Sequence, residues 1–217
     1  MSIVIGCDSF LSLRNVRNGD LGRKLQGERV LVLVDPSQYK GSEAACPPAI
    51  ELDTFLEFDP GADPILGRLL DRSYYTRKSY YDPGTLWIKL RASSYRNNPR
   101  LGLRRIASLA RNRCRLATHW MAGRCGLAQR RRWQFLSALR RHPVVSQYKK
   151  RLQEWNASTV VSLSPEGHRE MALLEAANDL GIPTAVMIRS RDNLAAKIQH
   201  LPDADNYFVW SEVTGQF

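Results

Sequence analysis

Short apolar runs alternate with a helical pattern over the last third of the sequence, and this alternation is the strongest constraint on the fold. Thr159–Leu163, Thr184–Ile188 and Tyr207–Trp210 are rich in β-branched and aromatic residues, which predicts three strands. Between the first two runs, apolar residues three apart predict one face of a helix, formed by Met171, Leu174, Ala177 and Leu180. Strands that alternate with helices over short connections are typical of a parallel sheet. The sequence therefore predicts an α/β fold with a Rossmann-like, doubly wound parallel sheet.

The first third of the sequence adds elements of the same kind. Ser2–Cys7 and Arg29–Asp35 predict two buried strands, with a helix expected between them over Phe10–Leu25. A short strand near Ile50–Phe58 and a helix over Pro64–Tyr81 follow. With 217 residues and a hydrophobic fraction of 43%, the chain is long enough for one domain with a substantial core. We therefore expect residues 1–217 to form a single Rossmann-like domain.

Positive charge is concentrated in the middle of the sequence. Residues 91–151 contain 17 Lys and Arg and no Asp or Glu, so the remainder, with 15 basic and 21 acidic residues, has a net charge of −6. Positions spaced by three or four predict an apolar stripe on one helix, formed by Leu103, Ile106, Ala110, Cys114, Ala117 and Met121. After an interruption at Gly123 and Gly126, a second helix is expected over Arg130–Arg141, and Pro143 ends it. The predicted domain thus carries a basic helical insert over about residues 91–151.

A basic segment of this kind predicts an anionic partner. The candidate residues are Arg104, Arg105, Arg111, Arg130, Arg131, Arg132, Arg140 and Arg141. Helices that place Arg beside an apolar stripe, here with Trp120, Trp133 and Phe135, suit an anionic membrane surface or a polyanionic acceptor polymer. Nucleic acid is a weaker alternative, because no recognised binding motif is present. A solvated face that only favours solubility also remains open.

Polar residues follow two predicted strands at the edge where parallel sheets bind ligands. The segment after Ser2–Cys7 provides Asp8, Ser9, Arg14 and Asn15. The segment after Thr184–Ile188 provides Ser190, Asp192, Asn193 and Lys197. His168 lies near a helix start at the same edge, where the helix dipole attracts phosphate. Asp8 is the candidate catalytic base and the others are candidate substrate ligands, while helix capping and local loop hydrogen bonds are the structural alternatives.

The segments ANDLGIPTAVMIRSRDNLAAK and DADNYFVWSE, at residues 177–197 and 203–212, carry a family resemblance. They resemble the end of the first domain in bacterial two-Rossmann-domain (GT-B) glycosyltransferase-like proteins, especially the CDP-glycerol glycerophosphotransferases. That family has a Gly-Ile-Pro helix end, a Ser-Trp-Asp-Asn-Leu-Thr loop, a Lys and an Asp-x-Tyr-x-Val-Trp strand. The matching positions are Gly181–Pro183, Ser190–Ala195, Lys197 and Asp205–Trp210. Arg191 stands in place of the family's Trp, and Ala195 in place of its hydroxyl residue.

The resemblance implies one half of a GT-B architecture, namely the N-terminal, acceptor-side domain without a C-terminal donor-binding domain. Such a domain would be inactive alone. With a donor domain, it would transfer from a nucleotide-activated sugar or CDP-glycerol to a hydroxyl acceptor in cell-surface polysaccharide or teichoic-type polymer synthesis. No cofactor and no metal are expected. The alternatives are half of a nucleotide-sugar 2-epimerase, or a non-catalytic domain that docks on an anionic membrane, glycan or nucleic acid.

Cysteine usage and hydropathy bear on the compartment. Cys7, Cys46, Cys114 and Cys125 lie far apart without zinc-ligand spacing, so we expect reduced thiols. The opening MSIVIGCD is too short an apolar run for a signal peptide, and no stretch approaches the roughly 20 apolar residues of a membrane span. We therefore expect a cytoplasmic protein, or one that is peripheral at the inner face of the membrane.

Overall fold

The computed structural model describes residues 2–7, 25, 27–36, 50–99, 102–163, 167–188 and 203–209. The strands in this part of the chain are β1 (Ser2–Cys7), β2 (Arg29–Val34), β3 (Ile50–Thr54), β4 (Ala157–Ser162), β5 (Thr184–Met187) and β6 (Asn206–Phe208). They form one parallel sheet in the order β3-β2-β1-β4-β5-β6. This is the strand order of the Rossmann fold. The predicted doubly wound α/β fold is confirmed.

The described helices are α1 (Pro64–Tyr81), α2 (Pro83–Asn97), α3 (Leu103–Arg124), α4 (Leu127–Arg140), α5 (Pro143–Glu154) and α6 (His168–Asp179). α1 has the predicted bounds, and the two helices predicted in the basic segment correspond to α3 and α4. α2 and α5 overlap that segment as well. Pro143 follows the end of α4, as expected, and is also the first residue of α5, where its missing N–H is tolerated. The predicted helix over Phe10–Leu25 lies outside the described residues, apart from Leu25.

The chain divides into two compact units. The sheet unit comprises Met1–Pro60 and Ser137–Phe217, and the helical unit comprises Gly61–Leu136. The boundary falls inside α4, so the predicted insert over residues 91–151 does not coincide with the helical unit. The helical unit contains 17 Lys and Arg and three Asp, a net charge of +14, which leaves −3 for the rest of the chain.

Apolar side chains on the central strands form the core of the sheet unit. One cluster consists of Ile5, Cys7, Val30, Val32, Val34 and Ile50. α5 and α6 pack against each other and against β4. α5 buries residues at helical spacing, which are Val144, Val145, Tyr148 and Leu152. The hydroxyl of Tyr148 accepts a hydrogen bond from the backbone N–H of Leu56 at 2.9 Å, so this buried phenol is satisfied and fixes α5 against the segment after β3.

Helix caps and one close contact shape the helical unit, in which α1 packs against α2 and α3. The carboxylate of Asp63 accepts hydrogen bonds from the first turn of α1, and that of Asp82 accepts one from Thr85 at the start of α2. Gly123 lies within α3, so its predicted role as a helix interruption is wrong. A Cβ at position 123 would lie 2.7 Å from the Cβ of Tyr80, and glycine therefore permits the close packing of α1 and α3. Gly126, with φ of 72°, does separate α3 from α4.

Candidate functional site

The sheet changes its winding direction between β1 and β4, which are neighbouring strands. In open parallel sheets, ligands bind in the crevice outside the carboxyl ends of the strands at this switch point. The described residues at this place are the ends of β1 and β4 and the first turn of α6. We call this group the switch-point site and define it by Gly6, Ser162, His168, Arg169 and Glu170.

Glu170 is buried in the first turn of α6. It has no exposed surface, and the hydroxyl of Ser162, at the end of β4, donates a hydrogen bond to its Oε2. A carboxylate in the first turn of a helix also interacts favourably with the positive end of the helix dipole. Burying an acid without such partners costs several kcal/mol, so the interactions account for its position.

Gly6 leaves room for the side chain of Glu170 beside β1. A Cβ at position 6 would lie 3.1 Å from Cγ and 3.3 Å from Cδ of Glu170, which is tighter than ordinary contact. Gly6 pairs with Ser162 inside the sheet, one residue before the predicted and observed end of β1 at Cys7. The N–H of Leu163 donates to the carbonyl oxygen of Gly6 at 3.0 Å and extends the pairing of β1 and β4.

An ion pair joins the start of α6 to the end of β2. The guanidinium of Arg169 donates to Oδ2 of Asp35, and both side chains are largely buried, with exposed fractions of 24% and 22%. Because Asp35 neutralises it, Arg169 contributes less attraction for an anionic ligand than an unpaired arginine would. Its role at this edge is to hold α6 against β2.

His168 is the predicted ligand residue that falls within the described part of the chain. It is the first residue of α6 and is half-buried, at the same edge as Ser162 and Glu170. The remaining predicted residues lie outside the described residues, and they are Asp8, Ser9, Arg14, Asn15, Ser190, Asp192, Asn193 and Lys197. In the sequence, these segments follow Cys7, the end of β1, and Ile188, just after β5.

Ser162, Arg169 and Glu170 were not predicted from the sequence. An acid beside an arginine at a helix start is typical of an exposed, dipole-stabilised position, and nothing local indicates burial. Two small residues at strand ends, Gly6 in β1 and Ser162 in β4, could have indicated the burial, because they leave room for a side chain from a neighbouring helix.

The predicted anion-binding arginines differ in exposure and in their partners. Four of them are exposed and form no ion pair with a carboxylate of the described residues, and they are Arg104, Arg111, Arg130 and Arg141. Arg105, Arg131 and Arg132 are half-buried. Arg140 is held within the sheet unit, because its Nε lies 2.5 Å from Oε2 of Glu175 and its Nη2 lies 3.7 Å from Oδ2 of Asp203.

Arg131 belongs to a polar cluster inside the helical unit. It donates to the hydroxyl of Thr76 and to Nδ1 of His119, the latter at 3.0 Å, which indicates that the proton of the neutral imidazole is on Nε2. Burial lowers the pKa of His119 to about 4, and the charges of Arg131, Arg115 and Arg72 add to this effect. The imidazole is therefore neutral at physiological pH and acts as an acceptor for Arg131.

The aromatic residues predicted beside the apolar stripe differ in exposure. Trp120 and Trp133 have exposed fractions of 38% and 44%. Phe135 has none, so its predicted position at a membrane surface is wrong. The stripe itself does lie on one face of α3, and that face is exposed to solvent, with Leu103 at 86% and Met121 at 61%.

Gly181–Pro183 and Asp205, which belong to the two segments of the family resemblance, lie at the amino edge of the sheet. A cavity of about 360 Å³ there is lined by Asn178, Gly181, Ile182, Pro183 and Asp205. Oδ2 of Asp205 accepts hydrogen bonds from the N–H and the hydroxyl of Thr184 at 2.7 and 2.9 Å, and these bonds hold the pKa of Asp205 below its usual value. Gly181, with φ of 67°, ends α6. These residues join α6, β5 and β6, at the opposite edge from the switch-point site.

The described residues show neither a metal cluster nor a spanning helix. No group of three His, Cys, Asp or Glu among them is placed to hold a metal ion. None of the described helices combines the length and the apolar character that crossing a membrane requires. Cys7 is buried, and Cys114 and Cys125 are exposed free thiols.

No protein-family model, no curated protein and no solved structure matches this chain. The resemblance to GT-B glycosyltransferase-like proteins therefore stays a prediction.

Proposed function

We propose that this chain is the acceptor-side domain of a GT-B-type glycosyltransferase or glycerophosphotransferase that acts in the synthesis of a cell-surface polysaccharide or teichoic-type polymer. The observation that supports the proposal most is the Rossmann strand order with a buried glutamate at its switch point. The sequence resemblance supplies the reaction class. In this arrangement the acceptor hydroxyl binds at the carboxyl edge of the sheet, and the nucleotide-activated donor binds to another domain.

The residues of the switch-point site then have distinct roles. His168, half-buried at the start of α6, contacts the polyol or phosphate of the acceptor. Glu170 is a positioning residue, because it holds the end of β4 through the hydroxyl of Ser162 and has no exposed surface for a ligand. Asp8, which follows β1 in the sequence, is the proposed base that accepts the proton of the attacking hydroxyl.

The proposal is tested by titrating the ¹⁵N-labelled chain with glycerol 3-phosphate, as an acceptor-like polyol phosphate, and with CDP-glycerol. We expect glycerol 3-phosphate to shift the amide resonances of Gly6, Ser162, Leu163 and Glu170. His168→Ala should weaken this binding about tenfold, because it removes one hydrogen bond to a charged ligand. Lys150→Ala, an exposed position on α5, is the control and should bind as tightly as the unaltered chain.

Two results would contradict the proposal. If neither compound shifts these amides at millimolar concentration, the switch-point site does not bind this class of acceptor. If CDP-glycerol binds there more tightly than glycerol 3-phosphate, or the chain alone consumes it, the domain binds the donor nucleotide and is not an acceptor-side domain.

A further inference from the structure

α3 presents its apolar residues to solvent. The apolar strip consists of the six residues Leu103, Ile106, Ala110, Cys114, Ala117 and Met121. The three large ones have exposed fractions of 86%, 57% and 61%, and the three small ones are exposed as well. A surface helix ordinarily turns such a stripe towards the core. The exposure of all six residues shows instead that the strip packs against no other element of the described part of the chain.

The opposite face of α3 carries polar groups into the contact with α1 and α2. Nδ2 of Asn112 donates to the hydroxyl of Ser94 at 2.7 Å and to the carbonyl of Leu90 at 3.3 Å. The hydroxyl of Ser108 donates to that of Ser94 at 3.1 Å. These hydrogen bonds fix the rotation of α3 about its axis, because turning the strip inward would leave buried polar groups unsatisfied.

Arginines flank the strip on both sides. At 100° per residue, Arg104 and Arg111 fall on one side, and Arg113 and Arg124 fall on the other. All four are exposed. Arg113 lies 5.2 Å from the centroid of the Trp87 ring and Arg124 lies 5.1 Å from that of Trp120, so the second side combines cations with aromatic rings.

We propose that the apolar strip docks on an anionic lipid bilayer, with α3 lying in the plane of the interface. The strip runs about 27 Å along the helix, and its side chains enter the boundary between headgroups and acyl chains. The flanking arginines reach the lipid phosphates while their methylene stems cover apolar surface. Indole rings such as that of Trp120 favour the same depth. This proposal goes beyond the proposed transferase function and does not depend on it.

Charge and chemistry favour a bilayer over the other occupants of such a face. A second copy of the chain would oppose two helical units of net charge +14, and their repulsion disfavours a dimer through this face. Nucleic acid would place phosphates against Leu, Ile, Ala and Met, which offer no hydrogen bonds and no stacking surface. An anionic bilayer alone matches both the apolar centre and the basic flanks.

The test is cosedimentation of the full chain with vesicles of phosphatidylcholine, or with vesicles that contain about one third phosphatidylglycerol. We expect binding to the anionic vesicles at low salt and a steep loss of binding as salt rises. Leu103→Gln/Met121→Gln should lower the binding constant at least tenfold without changing net charge. The control, Ile65→Gln/Ile88→Gln, alters two exposed residues of 61% and 67% on α1 and α2 and should bind like the unaltered chain.

A charge-reversing pair separates local from overall electrostatics. Arg104→Glu/Arg111→Glu should abolish most of the binding, whereas Arg141→Glu/Lys150→Glu, with the same change in net charge on the sheet unit, should reduce it much less. All four positions are exposed, and circular dichroism verifies that each variant is folded. Equal losses from both pairs would overturn docking through α3.

Depth of insertion gives an independent measurement. With Cys46 and Cys125 replaced by Ser, a spin label on Cys114 in the middle of the strip should become accessible to oxygen and protected from a water-soluble relaxant when vesicles are added. A label that stays water-accessible, no binding at low salt, equal binding to neutral vesicles, or unchanged binding of Leu103→Gln/Met121→Gln would each overturn the proposal. Tighter binding to single-stranded RNA, retained by that variant, would identify a nucleic-acid surface instead.

Discussion

The sheet unit and the helical unit differ in how they hold most of their described charged side chains. In the sheet unit, cations pair with carboxylates: Lys149 with Asp179 at 2.6 Å, and Arg140 with the fully buried Glu175 at 2.5 Å. In the helical unit, cations lie over aromatic rings, as Arg105 does over Tyr95, at 3.5 Å from its guanidinium carbon to the ring centroid. Ion pairs between its own residues therefore stabilise the sheet unit.

In the helical unit the acidic residues are too few to neutralise the arginines. The helical unit has three acids against 17 cations. Asp63 and Asp82 cap helices, Asp82 also pairs with Lys78 at 3.2 Å, and Asp71 is the third. Fifteen of these 17 cations are arginines. The planar guanidinium stacks on aromatic rings better than the lysine ammonium does, and it keeps its charge when partly buried, where a lysine loses it more readily. An arginine stacked on a ring keeps its charge available for an external anion.

The largest expected effect comes from removing one partner of the buried ion pair in the sheet unit. Burial raises the pKa of Glu175, and Arg140 opposes this by stabilising its carboxylate. Arg140→Gln leaves Glu175 without its cation and should lower the free energy of unfolding by about 2–3 kcal/mol. This loss is smaller than the one expected for a fully buried ion pair, because Arg140 is about one third exposed. Urea unfolding measures this, with the exposed neighbour Arg141→Gln as the control, expected within about 0.5 kcal/mol of the unaltered chain. Equal effects at both positions would show that the pair contributes nothing.

An intermediate effect is expected from His119, the neutral imidazole among the arginines of the helical unit. Its pKa is about 4 in the folded chain and near 6.5 when unfolded, so the unfolded state binds more protons between these values. The stabilising contribution is therefore complete above pH 6.5 and is lost as the pH falls towards 4. Because the ring is only half-buried and solvent screens part of the effect, we expect a loss on the order of 1 kcal/mol. His119→Gln, which keeps an acceptor for Arg131, should flatten the pH dependence of unfolding between pH 6.5 and 4, and an unchanged slope would assign it to other groups.

The smallest effect should come from an arginine that is held by a ring. Arg105→Gln removes the contact with Tyr95 and should lower the free energy of unfolding by about 0.5–1 kcal/mol. Arg104→Gln, at the exposed neighbouring position, should have no measurable effect on stability. Thermal unfolding of the two variants compares them directly. A larger loss for Arg104 would mean that the exposed arginines of α3 have intramolecular partners, which would weaken the contrast between the two units.

Much of the sheet could be predicted because its strands are continuous apolar runs. Ser2–Cys7 matched β1 in both bounds, and the Gly181 helix end was found from its position after an apolar helical face. α2 was missed because its buried residues, Leu86, Leu90 and Ser94, include a serine, and its start resembles an isolated turn at Asp82. Asp82 instead ends α1 and caps α2.

The orientation of α3 could not be predicted, because periodicity identifies a stripe but not what covers it. A polar face with Asn112 and Ser108 ordinarily points to solvent, and here tertiary hydrogen bonds with Ser94 turn it inward. The sequence analysis predicted where the switch-point site lies, through His168. It did not predict the burial of Glu170, because this depends on Gly6, which is distant in the sequence. When two residues come together only because their strands pair, the sequence around each of them contains no pattern that predicts the contact.

The position of the helical unit within the chain bears on the order in which the sheet forms. Ser2 of β1 pairs with Ala157 of β4, whereas every other described strand pair joins segments that lie about 20 to 30 residues apart. About half of the long connection is the helical unit, whose helices contact one another within residues 61–136. If that unit folds first, the flexible part of the loop is halved and closing it costs roughly 0.6 kcal/mol less. Among the described strand pairs, β1 and β4 still have by far the longest loop to close, so we expect this pair to form last. Gly6 and Ser162 pair with each other where β1 meets β4. We therefore expect a folding chain to form the β1–β3 and β4–β6 halves of the sheet first, and the switch-point site only when the two halves join.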